Sequence, residues 1–146
     1  EEAGIAVEVV PGITTALAAA AATQQPLTKR GVARSVAFFT SSTAPGEPDQ
    51  TAIPDCDTLV LRKIKPLRED LLDWLEARDL LAGAHFVERV GALDERRLSG
   101  PELLTLRGSK VSYLSLLIVK NPHRVRGERI KGCLKKSGPP PLETTP

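Results

Sequence analysis

Residues 7–20 decide the fold, and they read Val-Glu-Val-Val-Pro-Gly-Ile-Thr-Thr-Ala-Leu-Ala-Ala-Ala. The β-prone run at the start predicts a strand over Val7–Val10, which the Pro-Gly pair ends in a sharp turn. An alanine-rich helix is expected to begin directly after Thr14 or Thr15, where a threonine hydroxyl can accept a bond from an otherwise unpaired backbone N–H. Ligands of open α/β sheets bind at such strand ends, so a ligand would be held at this turn.

Further β-prone runs are separated by helix-like segments. The other predicted strands are Ser35–Thr40, Thr58–Leu61, Phe86–Glu88 and Leu116–Val119. Strands mixed with helices predict an α/β domain, in which a mixed sheet is flanked by helices. The runs lack a clean alternation of apolar and polar residues, which indicates a sheet covered on both faces.

The clearest helix pattern covers Leu67–Ala77, where Leu67, Leu71, Trp74 and Leu75 fall on one face. That apolar stripe is expected to be buried. The small side chains of the first helix should let it lie close to the sheet. Two segments are weaker: Pro101–Leu106 predicts one or two helical turns, and Asp94–Leu98 reads either as a polar edge strand or as a loop.

Composition bounds the class of protein. The chain has 146 residues, of which 41% are hydrophobic and 26% charged, as in a soluble globular domain. We expect one domain over residues 1–122 and a basic, proline-rich tail over 123–146 that is disordered. The segment 41–55, which contains three prolines and one glycine, is expected to be a surface loop. The chain opens at Glu1 without a methionine, so we expect it to be the latter portion of a longer polypeptide.

Several partners and compartments are disfavoured by the same composition. No aromatic residue lies among the basic residues of the tail to stack on bases, so nucleic acid is not an expected partner. No apolar run approaches the length of about 20 residues that a membrane span needs. Cys56 and Cys133 lie far apart in a chain with no secretory signal, which predicts reduced thiols and a cytoplasmic protein.

Few residues stand out as catalytic. His85 and His123 are too few and too far apart for a metal site, and we expect no metal. Asp55 and Asp57 flank Cys56 before a strand, which favours a loop or strand-capping role over nucleophilic chemistry. The charged residues of 88–97 are expected to form an exposed network. The chain contains neither a Gly-x-Gly-x-x-Gly motif nor a phosphate-binding loop.

The order of the segments adds a resemblance to a family. Residues 7–20, followed by Gln-Pro-Leu-Thr-Lys-Arg-Gly-Val-Ala-Arg-Ser-Val-Ala-Phe-Phe-Thr at 25–40, resemble the tetrapyrrole methylases, and within them most the uroporphyrinogen-III C-methyltransferases. The second half looks closer to the precorrin-2 C20-methyltransferases, through Val-Glu-Arg-Val-Gly-Ala-Leu-Asp-Glu-Arg at 87–96 and Leu-Arg-Gly-Ser-Lys-Val-Ser-Tyr-Leu-Ser-Leu-Leu-Ile-Val at 106–119. The resemblance covers about residues 3–120.

The resemblance implies the C-terminal domain of a two-domain enzyme that holds S-adenosylmethionine in a cleft between the domains. By position, Thr14, Thr15, Arg62 and Val90 would contact the cofactor, with Arg62 or Lys63 standing where the family has a methionine. For Arg62 and Val90, a role as strand-end residues without a ligand stays open. The implied substrate is a tetrapyrrole, the catalytic acid–base residues are unassigned, and a homodimer is left open as the assembly.

Three functions follow from the resemblance. The first is S-adenosylmethionine-dependent C-methylation of uroporphyrinogen III to precorrin-2, in siroheme and cobalamin biosynthesis. The alternatives are a precorrin-2 C20-methyltransferase and a non-catalytic remnant that folds without transferring a methyl group. The family's Gly-Gly-Asp loop, which holds much of the cofactor, precedes the segment matching Val7 and is not in this sequence. We therefore expect this chain alone to bind the cofactor weakly or not at all.

Overall fold

A computed structural model describes residues 8–40, 55–64 and 68–124. Two α-helices and five strands, in chain order, are α1 (Thr15–Ala22), β1 (Val36–Thr40), β2 (Thr58–Arg62), α2 (Arg68–Ala77), β3 (Ala84–Glu88), β4 (Arg96–Ser99) and β5 (Ser115–Lys120). Two 3₁₀ segments cover Leu81–Gly83 and Gly100–Leu106, and the second confirms the helical turns predicted there. Within the described ranges, no helix combines the length and the apolar character that crossing a bilayer requires.

The first helix begins where the sequence predicts. Thr14 has extended backbone angles, and its hydroxyl accepts a hydrogen bond from the Ala16 N–H at 3.4 Å, which caps α1. At the other end, the Thr23 N–H donates to the Ala19 carbonyl at 2.9 Å. Ala16 and Ala19 are fully buried, because their small side chains let the helix lie directly on the sheet.

The strand predicted at Val7–Val10 is wrong over residues 8–10, which have no regular structure. Val9 and Val10 are 87% and 76% exposed, and no described strand lies beside them. β propensity reflects how well a side chain packs on a pleated surface between neighbours, so it is not expressed without a pairing partner. Val7 itself lies outside the described residues.

The sheet has the strand order β1-β2-β5-β3-β4. β1 and β2 are parallel, and every other neighbouring pair is antiparallel, which confirms the mixed sheet. Four of the predicted strands are present. The fifth strand of the sheet is β4, in the segment that the sequence leaves open as an edge strand or a loop. Its polar residues Arg96 and Arg97 can be accommodated because β4 is an edge strand.

Both faces of the three central strands are buried, as the lack of alternation indicates. On one face, Leu61, Phe86 and Leu117 belong to the larger core, against which α2 and the 3₁₀ segments pack. On the other face, Val87, Leu116 and Ile118 pack with Ala19 of α1. Successive residues of a strand point to opposite faces, so a strand that is buried on both must be apolar along its length.

The apolar stripe of α2 is placed slightly differently from the prediction. Leu72 and Leu75 are buried in the larger core, whereas Leu71 and Trp74 are only half-buried against it. The stripe predicted from the sequence is confirmed at Leu75, but it omits Leu72, which is the other buried leucine of this face. Leu67 lies outside the described residues.

We expect Leu75→Ala to lower the free energy of unfolding by ~2–5 kcal/mol, because the fully buried side chain leaves a cavity. Leu71→Ala, in the same helix, should cost less, because part of the Leu71 side chain already faces water. Urea denaturation of both variants measures the difference. A loss below ~1 kcal/mol for Leu75→Ala would contradict the placement of α2 on the core.

Other predictions fall on or near the edges of the described ranges. The described ranges do not include residues 41–54 of the expected surface loop, the tail from residue 125, or Cys133 within that tail. His123 and Arg124, the first residues of the expected tail, are described, and the Arg124 guanidinium donates to the Asp57 carboxylate at 2.9 Å. Cys56 is a buried free thiol, and burial raises its pKa.

Candidate functional site

A cleft of about 420 Å³ lies at the end of the sheet where β1, β2 and β3 finish and β5 begins. We call it the strand-end cleft. These strand termini lie at the same end of the sheet because β2 and β3 both run antiparallel to β5, and β1 runs parallel to β2. The cleft is lined by Thr15, Thr40, Arg62, Lys63, Val87, Arg89, Val90, Tyr113, Leu114, Ser115 and Leu116.

Three of the four site residues predicted from the sequence line this cleft. They are Thr15 at the start of α1, Arg62 at the end of β2 and Val90 just after β3, and Lys63 lines it as well. Thr14 does not, because its hydroxyl is turned to the backbone of α1 as the helix cap. Residues separated widely in the chain are thus brought to one place, while their role in binding stays a prediction.

Two strand ends at the cleft carry an uncommon backbone conformation. Lys63 and Arg89 have φ of 55° and 54°, in the left-handed region that residues with a Cβ rarely occupy. The Arg89 N–H donates to the Leu114 carbonyl at 2.8 Å, which ties the end of β3 to the segment before β5. Non-glycine residues held in this region cost free energy and cluster at functional sites. Their position here is consistent with a binding cleft.

The wall formed by residues 112–116 is anchored by Glu88. Its carboxylate accepts hydrogen bonds from the Ser112 N–H and from Arg96 Nε at 2.9 Å. Glu88 is buried, so the expectation of a wholly exposed charge network is wrong at this residue. The last position of a strand buried on both faces can hold a carboxylate only when its charge is paired, and the Arg96 guanidinium supplies the pair at 2.8 Å.

Cationic side chains surround the cleft. Arg62, Lys63 and Arg89 line it, and the described lining residues include no carboxylate. Arg89 is paired with Asp94 at 2.5 Å outside the lining, and the Lys63 ammonium stands 5.4 Å from the centre of the Tyr113 ring. Tyr113 and Leu114 are exposed, so the cleft offers an aromatic and apolar surface beside positive charge. Such a surface suits a flat or heterocyclic ligand with anionic groups.

Asp57 lies at the opposite end of the sheet, just before β2, and has a structural role. Its carboxylate accepts hydrogen bonds from the backbone N–H groups of Arg34 and Ser35 at 2.9 and 3.0 Å. The Ser35 hydroxyl and the Arg124 guanidinium each add a bond at 2.9 Å. These donors, the Arg34 N–H first, hold the pKa of Asp57 well below its usual range. The strand-capping role expected of the Asp55–Asp57 segment is confirmed for Asp57.

The two histidines do not form part of the cleft. His85 is half-buried, and its pKa is lowered by burial and by the charge of Lys120. His123 is exposed and lies beside Asp79, with Nε2 3.4 Å from the Asp79 carbonyl oxygen. Among the residues that the structure describes, no three His, Cys, Asp or Glu side chains are grouped as a metal ion would require.

Comparison with known proteins identifies the family. The model of the tetrapyrrole (corrin/porphyrin) methylases matches residues 1–103. A search of curated proteins gives no match. The chain is similar to native uroporphyrin III C-methyl transferase from Thermus thermophilus, with 31% identity and a TM-score of 0.61 over 82% of this chain and 52% of that one. A Thermus thermophilus uroporphyrin-III C-methyl transferase complexed with S-adenosylhomocysteine gives 31% identity and a TM-score of 0.60, over 82% and 54% of the two chains.

The fold is shared more widely. A cobalt precorrin-4 methyltransferase of cobalamin biosynthesis has a TM-score of 0.63 at 20% identity, over 82% of this chain and 54% of that chain, which supports the fold alone. The chain spans about half the length of these solved structures. With the family model covering more than two thirds of its residues, the chain belongs to the tetrapyrrole (corrin/porphyrin) methylases.

Proposed function

We propose that this chain is the C-terminal portion of an S-adenosylmethionine-dependent tetrapyrrole C-methyltransferase and that the strand-end cleft is its part of the cofactor site. The observation that carries the proposal is the meeting of Thr15, Arg62 and Val90 in one cleft. The family resemblance assigns these three residues to the cofactor, and nothing in their spacing along the chain requires them to be neighbours.

The hydroxyl and apolar residues of the cleft fit such a cofactor chemically. Thr15 is an exposed residue whose hydroxyl can hydrogen-bond to a polar group, and Val87, Val90 and Leu116 offer an apolar surface to a nucleoside base. A volume of about 420 Å³ falls in the range of small-molecule sites. When bound, the cofactor supplies the methyl group that a nucleophilic ring carbon of the tetrapyrrole accepts.

The residues of this chain act by positioning. Glu88, through Ser112, fixes the wall that carries Tyr113 and Leu114, so that the ligand meets a rigid surface. Holding two reactants in a productive geometry can account for much of the rate of a transfer reaction. No residue of this chain is assigned the role of base.

We infer uroporphyrinogen III as the substrate and precorrin-2 as the product, in the cytoplasm, in siroheme and cobalamin biosynthesis. The support is the 31% identity with uroporphyrin III C-methyl transferase, against 20% with the precorrin-4 enzyme. The alternatives are C20-methylation of precorrin-2 and a remnant without activity. Arg62 and Lys63 favour the remnant, because a cation where the family has a methionine repels a sulfonium ion.

Calorimetric titration with S-adenosylhomocysteine tests the cofactor proposal. We expect weak binding by residues 1–146 and clear binding by a form extended with the residues encoded upstream of Glu1. In that form Thr15→Val should weaken binding by ~1 kcal/mol or more through the lost hydroxyl. Val90→Arg should weaken it by at least about tenfold, because a long cation would enter the cleft.

Thr28→Val is the matched control, because Thr28 is an exposed threonine that does not line the strand-end cleft. It should leave the affinity unchanged. Absence of binding by the extended form, or equal affinity of all the variants, would remove the cofactor proposal.

A further inference from the structure

A second cavity, of about 510 Å³, lies at the end of the sheet opposite the strand-end cleft. We call it the basal cavity. Its lining residues include Lys120, which ends β5, and Asp57, which immediately precedes β2, and this places the cavity at that end of the sheet. Three cationic side chains line it, those of Lys29, Lys120 and Arg124, together with the carboxylate of Asp57.

The negative charge of Asp57 is already satisfied. Its carboxylate takes two backbone N–H groups, the Ser35 hydroxyl and the Arg124 guanidinium, all within 3.0 Å. Asp57 therefore pairs with Arg124 and is not available to neutralise the two lysines of the cavity.

Lys120 has neutral partners only. Its ammonium donates to the Pro26 carbonyl and, at 3.2 Å, to the Thr58 hydroxyl. No carboxylate among the described residues lies within ion-pair distance of Lys120 or of Lys29. Burial lowers the pKa of Lys120, as happens when an ammonium loses water without gaining an anion. An anion placed beside it would reverse that cost.

We propose that the basal cavity binds a small molecule through a phosphate group, held by Lys29 and Lys120. Two lysines without an acidic partner match the charge of a phosphate monoester, which carries about −1.5 to −2 at neutral pH. A single carboxylate would neutralise only one of them. The polar side chains of Gln25 and Asn121 also line the cavity, whose volume exceeds that of a phosphate group alone and leaves room for the rest of a small molecule.

The test is a chemical-shift titration at constant ionic strength with three probes, inorganic phosphate, glycerol 3-phosphate and acetate. We expect saturable binding of both phosphates, with acetate weaker by at least about fivefold because it carries a single charge. Tighter binding of glycerol 3-phosphate than of inorganic phosphate would identify an ester as the ligand, and the reverse order would identify the free ion. No saturable phosphate binding, or acetate binding as well as phosphate, would overturn the proposal.

Two lysine variants and one control locate the site. Lys120→Gln and Lys29→Gln should each weaken phosphate binding by about fivefold or more, as loss of a charged partner does. Lys110→Gln, at an exposed lysine that does not line the cavity, should change it less than twofold. Should Lys120→Gln fail to fold, Lys29→Gln decides alone, since the side chain of Lys29 is exposed. Equal effects of Lys29→Gln and Lys110→Gln would contradict the assignment.

This inference does not rest on the methyltransferase proposal. Lys29 does not line the strand-end cleft, so Lys29→Gln should leave S-adenosylhomocysteine binding unchanged. Phosphate that competed with S-adenosylhomocysteine would instead place its binding in the strand-end cleft and overturn the basal assignment.

Discussion

Asp57→Ala should lower the free energy of unfolding by ~3–5 kcal/mol at neutral pH, the largest effect of any polar substitution expected here. Asp57 is 4% exposed. Its removal would leave the backbone N–H groups of Arg34 and Ser35 without their acceptor and the guanidinium of Arg124 without its ion-pair partner. Buried donors that lose their partner cost the full desolvation of each group.

The loss should depend on pH in a defined direction. The pKa of Asp57 is lowered in the folded protein, so its contribution to stability is present above the unfolded pKa of about 3.9 and is lost as the pH falls towards the folded value. Urea denaturation of the native protein and of Asp57→Ala at pH 7 and at pH 3 should therefore show a smaller difference at pH 3. Asp55→Ala, at an exposed carboxylate two residues away, is the control and should cost less than ~0.5 kcal/mol. A similar loss in both variants, or a loss independent of pH, would contradict the role of Asp57.

Phe86→Ala should destabilise the protein by ~3–5 kcal/mol. The Phe86 side chain is fully buried in the larger core and pairs in register with Leu117 on one side and Leu98 on the other. The Arg96 guanidinium lies 5.6 Å from the centre of its ring and adds a cation–π contact. Truncation would open a cavity in the middle of the sheet.

Phe38→Ala provides the matched control. Phe38 lies on the edge strand β1 and is 54% exposed, so the same truncation should cost less than ~1.5 kcal/mol. Thermal and urea unfolding of the two variants measure the contrast. Equal losses would mean that the core is not centred on Phe86.

Local patterns predicted the parts of the fold that depend on neighbours in the chain. The cap at Thr14 follows from a threonine before an alanine run, and the central strands follow from continuous apolar segments. The run at 8–10 has the same β propensity but no partner, and partners are set by topology. Glu88 can be buried because Arg96, which is opposite it on β4, neutralises its charge. This pairing depends on the register of β3 and β4, which no spacing in the sequence reveals.

The strand-end cleft could be predicted only in part, for the same reason. Thr15 was indicated by its place after the Pro-Gly turn as well as by the family resemblance, whereas Arg62 and Val90 were reached through the resemblance alone, since their separation in the sequence gives no physical reason to group them with Thr15. Tyr113 and Leu114, which form an exposed wall, were not predicted. Their position depends on the hydrogen bonds of Glu88 and Arg89 to the segment that carries them, and these form only in the folded protein.

The place of β5 in the sheet bears on how the chain can fold as it is synthesised. β5 is the last described strand to be made, yet it lies between β2 and β3, and Ile118 pairs with both Val60 and His85. Until β5 leaves the ribosome, β2 and β3 each have one edge without a neighbour, and the β1–β2 and β3–β4 pairs remain separate. Such unpaired edges are prone to aggregation in nascent chains. Completion of the sheet must therefore wait for the end of translation of this domain, when one strand joins both halves at once.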